Sequence, residues 1–119
     1  MTRPLMVIEG DDDLREALAA SLAMEGFEVS AFGDAREALR ELECGLRPFL
    51  ILLDLMMPNM SGWEFREAQE ADPAIAPIPV VVITAAHTLG SDGHSLTGIE
   101  VLRKPFSVEA LLEVVGRYR

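Results

Sequence analysis

Phe49-Leu-Ile-Leu-Leu-Asp54-Leu-Met-Met-Pro58-Asn-Met-Ser-Gly62 is the stretch that decides the fold. Five consecutive apolar residues, Phe49 to Leu53, have the pattern of a strand covered on both faces, as in parallel sheets, and they run directly into a carboxylate. An unpaired carboxylate inside such a strand is too costly, so Asp54 belongs at its C-terminal end, facing a crevice. That is where open α/β sheets place their ligands. Pro58 keeps Met57 extended and blocks an early helix, and Gly62 permits a close backbone approach.

Similar units lie on either side. Leu5-Met-Val-Ile8 is a short buried strand followed by the acidic loop Glu9-Gly-Asp11-Asp12-Asp13, and then by Leu14, Ala17, Leu18 and Leu22 at helical spacing, with Gly26 as a stop. Phe27 to Phe32 alternates as a second strand, and Asp34 with Glu37 has capping-box spacing for a second helix. Ser61 and Glu64 have the same spacing for a third, thinly apolar helix ending near Ala71. Ile78 to Thr84 is a fourth strand rich in β-branched residues. From 85 to 98 the helical signal fades among Gly90, Gly93 and Gly98, which predicts a short irregular helix. Ile99 to Leu102 form a fifth strand, Lys104-Pro105-Phe106 a turn, and a final helix starts near Ser107. Five βα units predict a single α/β domain over 1–119, a doubly wound five-stranded parallel sheet in the order 2-1-3-4-5 with helices on both faces.

Composition narrows the function. Twenty acidic against 10 basic side chains give a net charge of −10, which repels a phosphate backbone or an anionic membrane and argues against direct nucleic-acid binding. The longest apolar runs are too short for a bilayer, and the lone Cys44 fits a reducing compartment, so a cytoplasmic protein is expected. Cys44 receives no role.

The topology gathers Glu9, Asp11, Asp12, Asp54, Thr84 and Lys104 on the edge formed by the strands' C-terminal ends. Converging carboxylates repel unless a cation sits among them, and oxygen-only ligands suit Mg²⁺. In such a site Asp54 can act as a nucleophile and form an acyl phosphate, while Lys104 and Thr84 receive phosphoryl oxygens. Asp13 reads as a helix-dipole acid, whereas Asp12 stands open between capping and ligation. His87 and His94 lack ligand spacing and read as solvated; Trp63 reads as packing near the loop.

Over essentially its whole length the sequence resembles a response-regulator receiver domain of two-component signalling, with a CheY-like, flavodoxin-like fold. Asp54 to Gly62 matches the family's phosphoacceptor loop, Val-Val-Ile-Thr84-Ala its fourth strand with the switch hydroxyl, and Lys104-Pro105-Phe106 its lysine turn; Glu9 to Arg15 matches its metal-binding acids. The resemblance implies phosphoryl transfer to Asp54 from a histidine kinase or phosphotransfer protein. Mg²⁺ would be held by Glu9, Asp11, Asp54 and the Met56 backbone carbonyl, and a surface read by a downstream effector would switch. It implies a monomer or weak dimer, and a signalling module rather than an enzyme. A hydrolase using an aspartyl-phosphate intermediate is disfavoured, because position 56 is Met and supplies no second acid.

Two departures from the family pattern stand out. Gly10 replaces the second of two adjacent acids, leaving Asp11 as the nearest substitute, and Val101 stands where a swinging Tyr or Phe is common. Both favour an alternative reading, a phosphorylation-independent interaction module with weakened metal binding.

Overall fold

The apolar runs become the inner strands of one parallel sheet. The computed structural model describes residues 3–85 and 99–119. The elements in chain order are β1 (Leu5–Ile8), α1 (Asp12–Met24), β2 (Val29–Phe32), α2 (Ala35–Glu43), β3 (Leu50–Asp54), α3 (Gly62–Glu70), β4 (Val80–Ala85), β5 (Glu100–Lys104) and α4 (Val108–Gly116). The sheet order is β2-β1-β3-β4-β5, all parallel, as expected.

Alternation along the inner strands splits the core in two. Leu5, Val7, Leu50, Leu52, Val81 and Ile83 face α1 and α4 through Leu18, Leu22, Leu111 and Val115. Met6, Ile8, Ile51, Leu53 and Val82 face the opposite layer, where Ala38 and Leu42 of α2 and Phe65 of α3 cover them. Helices therefore shield both faces, and every residue of β1 and β3 is buried.

Some boundaries differ from the sequence reading for local reasons. The second strand starts at Val29 rather than Phe27, because the Phe27 amide donates to the Leu22 carbonyl and Gly26, at φ +93°, turns the chain out of α1. The fourth strand starts at Val80: the Ile78 amide closes a turn onto the Ile75 carbonyl, and Pro79 contributes only its carbonyl, to Ile51. Ser61 and Glu64 form the full reciprocal capping box, but Asp34 accepts from the Arg36 amide without a reciprocal bond from Glu37. The thin face of α3 hides a polar anchor. Gln69, fully buried, donates to the Ile75 and Ile78 carbonyls and fixes the chain leading into β4. The irregular helix expected over 85–98, with His87 and His94, lies outside the described residues, apart from Ala85, which ends β4. No helix among the described residues is long and apolar enough to cross a membrane.

Candidate functional site

Parallel register sets the site. Ile8 pairs with Leu53, Asp54 with Ile83, and Ala85 with Lys104, so β1, β3, β4 and β5 finish at one edge. Glu9 follows β1 immediately and is 1% exposed; Asp54 ends β3 and is 4% exposed. Two carboxylates at this depth need compensation, and Lys104 at the end of β5 supplies it. Its Nζ lies 2.8 Å from Glu9 Oε1 and 3.7 Å from Asp54 Oδ2. Backbone amides complete the arrangement: Asp11 N–H donates to Glu9 Oε2 (3.0 Å), and Met56 N–H to Asp54 Oδ1 (3.1 Å).

The compensation is incomplete. Burial, and then the hydrogen bond and charge of Glu9, push the Asp54 carboxyl up from 3.8 to about 7, against the opposing pull of Lys104 and the Met56 amide. The site is therefore short of positive charge, a condition that a divalent cation relieves. Thr84 is buried at the end of β4, one residue beyond the Asp54–Ile83 pairing. Val101 pairs with Val82 and packs in the second core cluster.

The loop after β3 is held from both sides. Gly62 N–H donates to the Leu55 carbonyl, and Asn59, at φ +69°, donates through Nδ2 to Asp34 Oδ2 of the β2–α2 turn at 3.3 Å. Met56 is 64% exposed at the mouth of the crevice.

Glu9, Asp54, Thr84 and Lys104 thus share one edge, and Asp11 is drawn away from it. Its Oδ1 caps α1 by accepting from the Leu14 amide at 3.1 Å, and its side chain is exposed. Asp12, also exposed, pairs with Arg15 at 2.6 Å. Among the described residues no three acids, histidines or cysteines converge as a metal-holding cluster. Position 10 abuts the loop after β3: a Cβ there would lie 3.7 Å from Met57 Cγ and Pro58 Cδ and 3.9 Å from the Met56 carbonyl oxygen. Arg15, which the sequence reading passed over, donates through Nη1 to the Glu9 carbonyl at 2.9 Å. Its spacing of three from Asp12 is the only signal the sequence offers, and nothing in it points to Glu9.

Comparison with known proteins agrees with this geometry. The family model described as the response regulator receiver domain matches residues 5–116. The chain is 38% identical over 85 residues to the DNA-binding response regulator MtrA of Mycolicibacterium smegmatis, covering 71% of this chain and 36% of that protein. It is 33% identical over 116 residues to the C4-dicarboxylate transport transcriptional regulatory protein DctD of Pseudomonas aeruginosa, covering 95% of this chain and 24% of the relative. The chain therefore spans about a third or less of the length of these relatives. Among solved structures, the response regulator TrrA of Thermotoga maritima, in complex with Mg²⁺ and BeF, superposes with a TM-score of 0.84 at 28% identity, with full coverage of both chains. The chemotaxis response regulator CheY4 of Vibrio cholerae gives 0.85 at 26% identity, again with full coverage. With this sheet order, these buried acids and the lysine turn, the chain belongs to the response regulator receiver domain family of two-component signalling.

Proposed function

We propose that this domain is a phospho-accepting switch in which Asp54 takes a phosphoryl group from the phosphohistidine of a histidine kinase or phosphotransfer protein. The observation that carries this reading is a buried acid pair, Asp54 and Glu9, sharing the single ammonium of Lys104 at the open end of the sheet. An Asp54 carboxylate oxygen attacks phosphorus; the new O–P bond forms as the P–N bond to imidazole breaks, and the imidazole nitrogen keeps the electron pair. Lys104, on a flexible stem, moves from Glu9 toward the incoming phosphoryl oxygens, and Thr84 offers its hydroxyl to another. The readout is a changed surface for an effector protein. A cytoplasmic location goes with that role, and the net charge of −10 leaves any DNA contact to a different domain.

The donor set fits Mg²⁺ with reduced ligand charge. Glu9, Asp54 and the Met56 carbonyl would hold it, and Mg²⁺ commonly keeps several waters beside one or two carboxylates. Bound there, it would neutralise the carboxylates and the transferring phosphoryl group. Asp11 would reach it only by giving up its cap on Leu14. A Cβ at position 10 would meet only ordinary van der Waals contacts, one of them with the Met56 carbonyl oxygen at 3.9 Å, so an added carboxylate would start next to that carbonyl. Gly10→Asp is therefore expected to tighten Mg²⁺ binding about tenfold, read by calorimetry at pH 7.5. Unchanged affinity would mean that position 10 does not face the ion.

The phosphate-independent module remains the second reading. It is favoured by the missing acid at Gly10 and by a lysine already paired with Glu9. Incubation with a small-molecule phosphodonor, with and without Mg²⁺, followed by intact mass and peptide mapping, separates the two. A gain of one phosphoryl group on the Asp54 peptide that requires Mg²⁺ supports the switch. No gain at saturating Mg²⁺ sinks it and leaves the module.

A further inference from the structure

Glu9 sits one residue beyond the last paired position of β1, Ile8 with Phe32. Its N–H still reaches the Phe32 carbonyl at 3.0 Å, but its own carbonyl points past the end of the ladder. Arg15 takes that acceptor. Nη1 donates to the Glu9 carbonyl at 2.9 Å and Nη2 to Asp12 Oδ1 at 2.6 Å, so one planar fork ties the strand end to the first turn of α1.

The fork lies against Gly33. A Cβ at that position would come within 2.6 Å of Arg15 Nη1, 3.1 Å of Cζ and 3.5 Å of Nη2. Gly33 follows β2 directly, so the guanidinium bridges the β1–α1 and β2–α2 connections. Any side chain at position 33 would force the end of Arg15 to shift from this seat.

We propose that Arg15, seated on Gly33, is a positioning residue for the phosphoacceptor site. By holding the Glu9 main chain it keeps the Glu9 carboxylate buried beside Lys104 and Asp54. In this chain that placement counts for more than usual. Gly10 brings no acid, Asp11 is engaged at the helix cap, and Glu9 and Asp54 are the only buried carboxylates among the described residues. The inference rests on the phospho-acceptor reading for its metal, but its geometry stands apart from it.

The test compares wild type, Arg15→Ala, Gly33→Ala and the double variant. Mg²⁺ affinity is measured by calorimetry, and amide hydrogen exchange is followed at Asp11, whose N–H rests on Glu9 Oε2. Each single change is expected to weaken Mg²⁺ roughly tenfold, as loss of a supporting shell does, and the double to weaken it no further. Asp11 exchange accelerates in all three, while the melting temperature stays near wild type. Gly33→Ala leaves Arg15 in place chemically and only displaces its flexible end, so agreement between the two singles separates positioning from loss of a surface charge. Multiplying effects in the double variant, or Mg²⁺ affinity and Asp11 exchange unchanged in Arg15→Ala, overturn the proposal. If wild type binds no Mg²⁺, the metal-dependent reading fails by itself. The exchange data then decide alone: faster Asp11 exchange in both singles sustains the positioning role, and unchanged exchange ends it.

Discussion

Asp54→Asn protein is expected to gain no phosphoryl group under conditions that label wild type fully, and to be more stable than wild type at pH 8 without metal. The first effect follows from removing the nucleophilic oxygen. The second follows from the raised pKa. Because the Asp54 carboxyl titrates near 7 in the folded chain and near 3.8 as a free side chain, the native state holds a proton between those values that the unfolded state has released. Its contribution to stability is full below about pH 4, is lost as pH rises to about 7, and changes no further above that. A shift of this size is worth at most about 4 kcal/mol, and hydration at the crevice mouth reduces the expected gain at pH 8 to about 2 kcal/mol. Asn keeps an acceptor for the Met56 amide and can donate to Glu9, so the variant avoids buried like charges. Denaturant melts at pH 4 and pH 8 check this: the gap between variant and wild type should be large at pH 8 and nearly closed at pH 4. A gap independent of pH would show that Asp54 is not titrating near neutrality.

Gly62→Ala is expected to damage both the fold and the site. Gly62 opens α3 and is buried against the strand that ends in Asp54. A Cβ there would lie 2.7 Å from the Asp54 carbonyl oxygen and 2.7 Å from Leu55 Cα, closer than real contacts allow, and both obstacles are backbone. The strand end or the helix start must move. Overpacking of this kind costs about 3 kcal/mol, against roughly 1 kcal/mol gained from Ala in a helix, for a net loss of about 2 kcal/mol. The displaced backbone carries the Asp54 carboxylate with it, so labelling should fall at least as steeply as stability. Thermal melts and phosphodonor labelling, run side by side, test it. Wild-type melting together with wild-type labelling would refute the close approach.

The buried strands were legible because a strand covered on both faces leaves an unbroken apolar run, and β1, β3 and β4 all have one. The sheet order followed from the number of βα units and the handedness of their crossovers. Glu9, Asp54, Thr84 and Lys104 could be placed together because each stands at a strand's C-terminal end, where the topology alone fixes position. Asp11 was harder to place. Within the run of three aspartates, Asp11 reads as the ligand, Asp12 as open and Asp13 as a helix-dipole acid, but which of them caps depends on where the chain leaves β1, and one-dimensional spacing does not encode that. Arg15 and Gln69 escaped for a related reason: each satisfies backbone carbonyls that become acceptors without partners only once the chain has folded.

The sheet order also gives the site a history. β1 lies between β2 and β3, so the first 54 residues suffice to bring Glu9 and Asp54 to one edge, whereas Lys104 joins only when β5 docks on β4. During synthesis the two acids can meet before their cation exists, and a half-built sheet bears in full a repulsion that the finished one partly relieves. Docking of the last strand thus finishes the sheet and brings in the compensating charge in one event. In the proposed switch, the lysine that would turn to the phosphoryl group is also the one that bridges the two acids of the resting site.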